Sequence, residues 1–134
     1  MASIIDIEGV GEAYQKKLVA AGIATVEALL EKGATPKSRE EIAAKTGISG
    51  ALILRWVNFA DLFRIKGIGS EYSELLEAAG VDTVVELGKR VPENLLEKMT
   101  AVNGAKKLVR RLPVLSQVQS WVKQAKALPR AVSY

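Results

Sequence analysis

Two glycine pairs have the spacing that suits anion binding by the backbone. They lie in Ile7-Glu8-Gly9-Val10-Gly11 and in Ile65-Lys66-Gly67-Ile68-Gly69. Two glycines separated by one residue, ahead of an apolar helical pattern, predict a tight turn that exposes backbone N–H groups. A phosphate oxygen can occupy the positive end of the helix that follows such a turn. The chemistry predicted at these segments is therefore phosphate binding.

The charged side chains beside the two turns partly oppose this chemistry. Lys16 and Lys17 follow the first pair, but Glu8 and Glu12 flank it. The second pair is followed by Glu71, Glu74 and Glu77, and no basic residue occurs before Lys89. A carboxylate in the first helical turn competes with phosphate for the same N–H groups. Two interpretations stay open, namely turns that bind phosphate and turns that only let helices pack closely. The candidate phosphate residues here are Gly9, Gly11, Lys16, Lys17, Gly67 and Gly69.

A second anion candidate lies in the segment from Asn103 to Arg111. We predict a helix over residues 104–112, on which Lys106 and Arg110, and likewise Lys107 and Arg111, stand four residues apart on adjacent faces. A following helix adds further basic residues: Lys123, Lys126 and Arg130. Such a cluster would bind phosphates in a salt-sensitive way without reading base sequence. The alternative is a solvated helix face.

The composition narrows the classes of function. The chain of 134 residues contains no cysteine and no histidine, and its net charge is +4. Thiolate metal sites, disulfides and the usual nucleophile pairs are excluded, and carboxylates such as Asp61 show no recognisable pairing, so neither an enzyme nor a cofactor is expected. No apolar stretch approaches about 18 residues, and no signal-peptide pattern is present, so we expect a cytoplasmic protein without a membrane partner.

Apolar residues recur at helical spacing almost throughout, which predicts an all-α protein. Capping patterns are expected at Ser38, Thr83 and Ser116, and Pro92 suits a first helical turn. The predicted helices cover residues 11–21, 25–32, 38–46, 50–64, 69–79, 83–90, 92–101, 104–112 and 116–128.

The pattern of residues 7–25 returns at residues 65–83 with a constant separation of 58, so the chain is an internal duplication. A later match, from residues 42–54 to residues 96–108, has a separation of 54. We predict a single domain, 1–134, as a compact bundle of short helices with pseudo-two-fold symmetry. Its repeats cover approximately 5–58 and 63–112.

The last helix resembles the helix that precedes the second glycine turn, because Trp121-Val122 and Ala125 match Trp56-Val57 and Ala60. We expect helix 116–128 to complete the N-terminal repeat, where a leading helix is lacking. Within one molecule this gives a monomer, and between molecules a swapped dimer. The aromatic residues at helical spacing are expected to pack: Trp56, Phe59, Phe63, Trp121, Tyr14 and Tyr72.

Residues 7–23 and 65–81 resemble the helix-hairpin-helix turn of proteins that hold the nucleic-acid backbone without reading its sequence. Over nearly its whole length, including residues 54–69 and 106–113, the chain also resembles the bacterial family catalogued as domain of unknown function 4332. That resemblance implies a duplicated all-helical domain and contact with nucleic acid, and it supplies no reaction. We therefore predict a non-catalytic module that binds backbone phosphates.

The chain departs from that family at Phe59 and Leu96, where the family tends to show histidine, and at Gly88, where it tends to show alanine. These replacements make the interior more apolar or larger. They suggest an alternative in which the chain, natural or engineered, is a scaffold or binds an apolar small molecule and has no nucleic-acid role. The pocket would then lie near Phe59, Gly88, Val91 and Leu96.

Overall fold

The computed structural model describes residues 2–134, and within that range the chain is all-helical. A short 3-10 helix over Ile4–Asp6 is followed by eight α-helices: α1 (Glu12–Ala20), α2 (Val26–Lys32), α3 (Pro36–Thr46), α4 (Gly50–Leu62), α5 (Ser70–Ala78), α6 (Val84–Gly88), α7 (Pro92–Lys106) and α8 (Leu115–Ala127). The only extended pairing among these residues is an isolated bridge between Ser3 and Thr25. The predicted fold class is confirmed. No helix in the described range is both long and apolar enough to cross a membrane.

The chain divides into two compact units. The first contains the described residues up to Asp61 together with Ala131–Tyr134, and the second contains Leu62–Arg130. The sequence pattern predicted one domain over residues 1–134 with repeats over approximately 5–58 and 63–112, and each of these ranges falls within one unit. Each unit has its own buried apolar residues and is described by itself.

Helix boundaries follow the capping chemistry of the sequence. Thr83 accepts a hydrogen bond from the Glu86 backbone N–H, as predicted, and Pro92 occupies the first turn of α7. Helix α3 begins earlier than predicted, because Thr35 caps it and exchanges hydrogen bonds with Ser38. Ser38 is therefore the third helical residue and not the cap. Helix α8 likewise begins before Ser116, at Leu115.

In the first unit, a tryptophan of α4 holds the glycine turn. Gly9 has a φ of +93°, and a Cβ at this position would lie 3.4 Å from the indole Nε1 of Trp56. The Trp56 ring also packs edge-on against Tyr14, with ring centroids 5.0 Å apart. Trp56 is fully buried, so the turn, the start of α1 and the middle of α4 form one packed contact.

The second unit repeats this arrangement with α8. Gly67 has a φ of +101°, a Cβ there would lie 3.0 Å from Nε1 of Trp121, and the Trp121 and Tyr72 ring centroids are 5.1 Å apart. Helix α8 packs mainly on α6 and α7 of the same unit. The prediction that helix 116–128 completes the N-terminal repeat is therefore wrong. In each unit the last helix, α4 or α8, carries the tryptophan whose indole covers the glycine turn near the beginning of the same unit.

The predicted helix over residues 104–112 is also wrong. Helix α7 continues to Lys106 and stops at Lys107, which adopts a left-handed φ of +52°. The Asn103 side chain then accepts a hydrogen bond from the Val109 N–H and donates one to the Val109 carbonyl, which fixes the chain outside the helix. Residues 107–114 form a non-helical connection, here called the basic loop, whereas only residues 47–49 separate α3 from α4 in the first unit.

The C-terminal segment of the first unit is held by a buried arginine. Arg39 is 7% exposed, and its guanidinium donates to the carbonyl oxygens of Gly33 and Ser133. The Ser133 N–H donates to the Ala34 carbonyl, and Val132 is buried. These bonds hold residues 131–134 against the end of α2 and the beginning of α3.

We expect the substitution Gly67→Ala to lower the free energy of unfolding by about 1–3 kcal/mol, because alanine is strained at this φ and its methyl group would press on Trp121. The control is Gly69→Ala, since Gly69 has a φ of −119° and nothing lies within 4 Å of its Cβ position. Urea unfolding of the two variants measures the difference. Equal destabilisation of the two variants would contradict the proposed packing of the turn on the tryptophan.

Candidate functional site

A polar groove lies beside the Gly67 turn in the second unit. It encloses about 350 Å³ between the turn and one face of α8. Its lining residues are Lys66, Gly67, Ser116, Gln117, Ser120, Trp121 and Gln124. Trp121 is buried under the turn, and the polar groups that line the groove are the Lys66 ammonium, the Ser116 and Ser120 hydroxyls and the Gln117 and Gln124 amides.

The turn is tied to α8 through its backbone. The Lys66 N–H donates to Oε1 of Gln124 at 2.8 Å, and Nε2 of Gln124 donates to the Lys66 carbonyl at 3.2 Å. The same Nε2 atom lies 3.2 Å from the Ser120 hydroxyl. Gln124 thus fixes the turn and the helix face relative to each other, and the Lys66 side chain is left exposed.

The basic loop meets the same turn through Tyr72. The Tyr72 hydroxyl donates to the Arg111 carbonyl at 3.0 Å, and Tyr72 is the third residue of α5, directly after the glycine turn. The side chains of Lys107, Arg110 and Arg111 are exposed. The structure therefore brings the second glycine pair and part of the predicted basic cluster together. It does so through a loop contact and not through the helical i, i+4 pairing that was predicted.

The charge of this region has one sign. Residues 98–134 contain eight lysines and arginines and no aspartate or glutamate. Helix α8 consequently carries Lys123 and Lys126, both exposed, without a carboxylate of its own. No acidic side chain within residues 98–134 would repel an anionic partner.

The first glycine turn has a different surface. Gly9, Gly11, Lys16 and Lys17 are all exposed, as a phosphate site requires, but Glu8 stands at the position of Lys66. Counting from the tryptophan of each unit, buried Phe59 stands at the position of Gln124. The first turn therefore lacks an equivalent of the hydrogen bonds by which Gln124 joins the Lys66 backbone to α8.

The indole of Trp56 has a polar atom that the turn leaves unsatisfied. Its Nε1 is buried, and no described residue accepts a hydrogen bond from it. It lies directly under Gly9, whose missing side chain allows this approach. The contact serves packing, since solvent does not reach the atom.

Acidic side chains gather elsewhere in the second unit. Burial raises the pKa of Asp82 above its ordinary value, and the negative charges of Glu77 and Glu86 raise it further. Glu86 pairs with Arg90, whose guanidinium also donates to the Gly80 carbonyl. Within residues 2–134, no group of three or more carboxylates is arranged to hold a metal ion.

The four residues of the alternative pocket, Phe59, Gly88, Val91 and Leu96, have different surroundings. A Cβ on Gly88 would lie 3.4 Å from the backbone nitrogen of Lys126, so this glycine allows α8 to pack closely and does not open a cavity. Val91 is 53% exposed, and Leu96 packs against the core of the second unit. Phe59 belongs to the first unit, where it is buried beneath the guanidinium of Arg55.

Most of the groove is absent from the sequence-based predictions. They give Ser116 only a helix-capping role, assign no binding role to Gln117, Ser120 and Gln124, and include Lys66 only as part of the glycine segment. Two sequence features could have indicated the groove: the run of hydroxyl and amide residues on α8, and the absence of any carboxylate after Glu97. The position of these residues beside Gly67 could not be predicted once α8 was assigned to the first repeat.

The chain belongs to the family described as "Domain of unknown function (DUF4332)", which matches residues 8–128. This match confirms the family resemblance seen in the sequence. The matched range includes both glycine turns and all eight α-helices. Comparison with curated proteins and with solved structures gives no match.

We expect Asp82→Asn to stabilise the protein at pH 7. Because the pKa of Asp82 is raised, the folded state binds its proton more tightly than the unfolded state does. The protonated form of Asp82 therefore favours folding at a pH below its ordinary pKa of 3.8, and the ionised form opposes folding at higher pH. Urea unfolding should show that the variant has a higher free energy of unfolding than the wild type at pH 7, and this difference should shrink as the pH falls toward 4. The exposed Glu40→Gln is the control, and a gain independent of pH would contradict this electrostatic origin.

Proposed function

We propose that this protein is a non-catalytic module that binds nucleic-acid backbone phosphates without reading base sequence, through the second unit. The surface that carries this function combines the Gly67 turn, the start of α5 and the basic loop. The supporting observation is the hydrogen bond from the Tyr72 hydroxyl to the Arg111 carbonyl, which places the basic loop at the first turn of α5.

The charges of this surface favour a polyanion over a small anion. Residues 62–130 contain twelve lysines and arginines and seven aspartates and glutamates. The basic loop and Lys66 supply four of these cations, and Glu71 is the carboxylate in the first turn of α5. Cations that are distant along the chain thus offset the carboxylates that follow the second glycine pair. Several separate cations bind successive phosphates better than one, because each neutralised phosphate releases condensed counterions.

The surface offers no means of reading bases by stacking. Trp121 is 1% exposed, and Tyr72 uses its hydroxyl within the protein. Single-strand binders instead present exposed aromatic rings to successive bases. Contact with phosphate and sugar alone positions a protein on nucleic acid and carries no sequence information.

The test is fluorescence anisotropy with a labelled DNA duplex at several salt concentrations. We expect the wild-type chain to bind with an affinity that falls steeply with salt. The variant Lys107→Gln/Arg110→Gln/Arg111→Gln should bind more weakly. Its slope of log affinity against log salt should be shallower by about 0.9 for each phosphate that it no longer neutralises.

The matched control removes the same charge elsewhere. The variant Lys37→Gln/Lys45→Gln/Lys89→Gln has the same net charge as the loop variant and changes three exposed lysines outside the basic loop. It should keep most of the wild-type salt slope, and so should Lys16→Gln/Lys17→Gln at the first turn. Equal weakening in the loop and control variants would indicate a general charge effect, and no binding by the wild type at low salt would refute the function.

A further inference from the structure

The groove beside the Gly67 turn has the chemistry of a binding site for sugar and phosphate oxygens. None of its seven lining residues is acidic. Lys66 contributes an ammonium group, Ser116 and Ser120 contribute hydroxyls, and Gln117 contributes an amide. Serine, glutamine and lysine side chains are among those that contact phosphate and sugar in protein complexes with nucleic acids. The groove is open to solvent and has a volume of about 350 Å³.

Packing of the tryptophan helix does not require this polar face. Counted from the tryptophan of each unit, the positions of Ser116, Gln117, Ser120 and Gln124 are occupied in α4 by other residues: Ala51, Leu52, Arg55 and Phe59. Trp56 nevertheless covers the Gly9 turn as Trp121 covers the Gly67 turn. The hydroxyl and amide groups are therefore a property of the second unit and not of the shared fold.

The groove is held in shape by hydrogen bonds that leave its outer groups available. The Gln124 side chain accepts from the Lys66 N–H and donates to the Lys66 carbonyl, and its Nε2 also donates to the Ser120 hydroxyl oxygen. The Gln117 side chain accepts the Val114 N–H and so fixes the start of α8. A ligand would meet a preformed arrangement, which lowers the entropic cost of binding.

We propose that this groove binds one sugar-phosphate unit of a nucleic-acid backbone, with Lys66 on the phosphate and the hydroxyls of Ser116 and Ser120 on phosphate or sugar oxygens. This inference rests on the proposed function and assigns to it a specific contact outside the basic loop. Because Trp121 is buried, its ring is not available to stack on a base, and the proposed contact does not read base identity.

The double variant Ser116→Ala/Ser120→Ala tests the contact without endangering the fold. Both serines are exposed, neither is the cap of α8, and alanine favours helix more than serine does. We expect roughly tenfold weaker binding to the labelled duplex, because the variant cannot form two of the hydrogen bonds. The salt slope should stay unchanged, since neutral hydroxyls release no counterions. Gln119→Ala, exposed on the same helix but outside the groove, is the control and should bind as the wild type does.

A nuclear magnetic resonance titration separates this inference from the proposed function. Unlabelled duplex and ribose 5-phosphate are added separately to the ¹⁵N-labelled full chain. We expect both to shift the Gly67 amide and the Gln124 side-chain amide, and the duplex also to shift residues 107–111. Shifts from the duplex confined to residues 107–111 would refute the groove contact and leave the loop function standing. The absence of any shift with duplex would refute both.

Discussion

The contact between a tryptophan and a glycine turn is the constraint on which each unit depends. Gly9 and Gly67 adopt φ values of +93° and +101°, and a Cβ at either position would lie within 3.4 Å of an indole nitrogen. Only glycine satisfies both requirements without strain. Each indole also packs on a tyrosine three residues after the second glycine of its pair. The turn, the start of the next helix and the last helix of the unit are therefore fixed by a single contact.

The two units share this anchor but differ in the groups around it. In the second unit, the anchor sets Gln124 against the Lys66 backbone, and the long connection before α8 brings Arg111 to Tyr72. In the first unit, Phe59 takes the place of Gln124, and only residues 47–49 connect α3 to α4. The same packing thus occurs with hydroxyl and amide residues on α8 in one unit and with Ala51, Leu52, Arg55 and buried Phe59 on α4 in the other. This difference is why we propose a binding function for the second unit.

The sequence predicts the local features of this fold well, because they depend on neighbouring residues. The all-helical class, the cap at Thr83 and the place of Pro92 in the first turn of α7 follow from periodicity and capping rules. Two sequence matches to the first half of the chain lead to different counterparts of α4 in the second half. The separation of 54 suggests a helix at residues 104–112, whereas the match of Trp56 with Trp121 identifies the true counterpart of α4. Asn103 ends α7 through bonds to Val109 that no periodic pattern reveals.

The most direct test of the tryptophan anchor is the set of nuclear Overhauser effects from the two indole N–H protons. We expect cross-peaks from the Trp56 indole N–H to the Gly9 α-protons, and from the Trp121 indole N–H to the Gly67 α-protons. Cross-peaks from Trp121 to Gly9 would show that the last helix covers the first turn. That result would contradict both the assignment of α8 and the groove built on it.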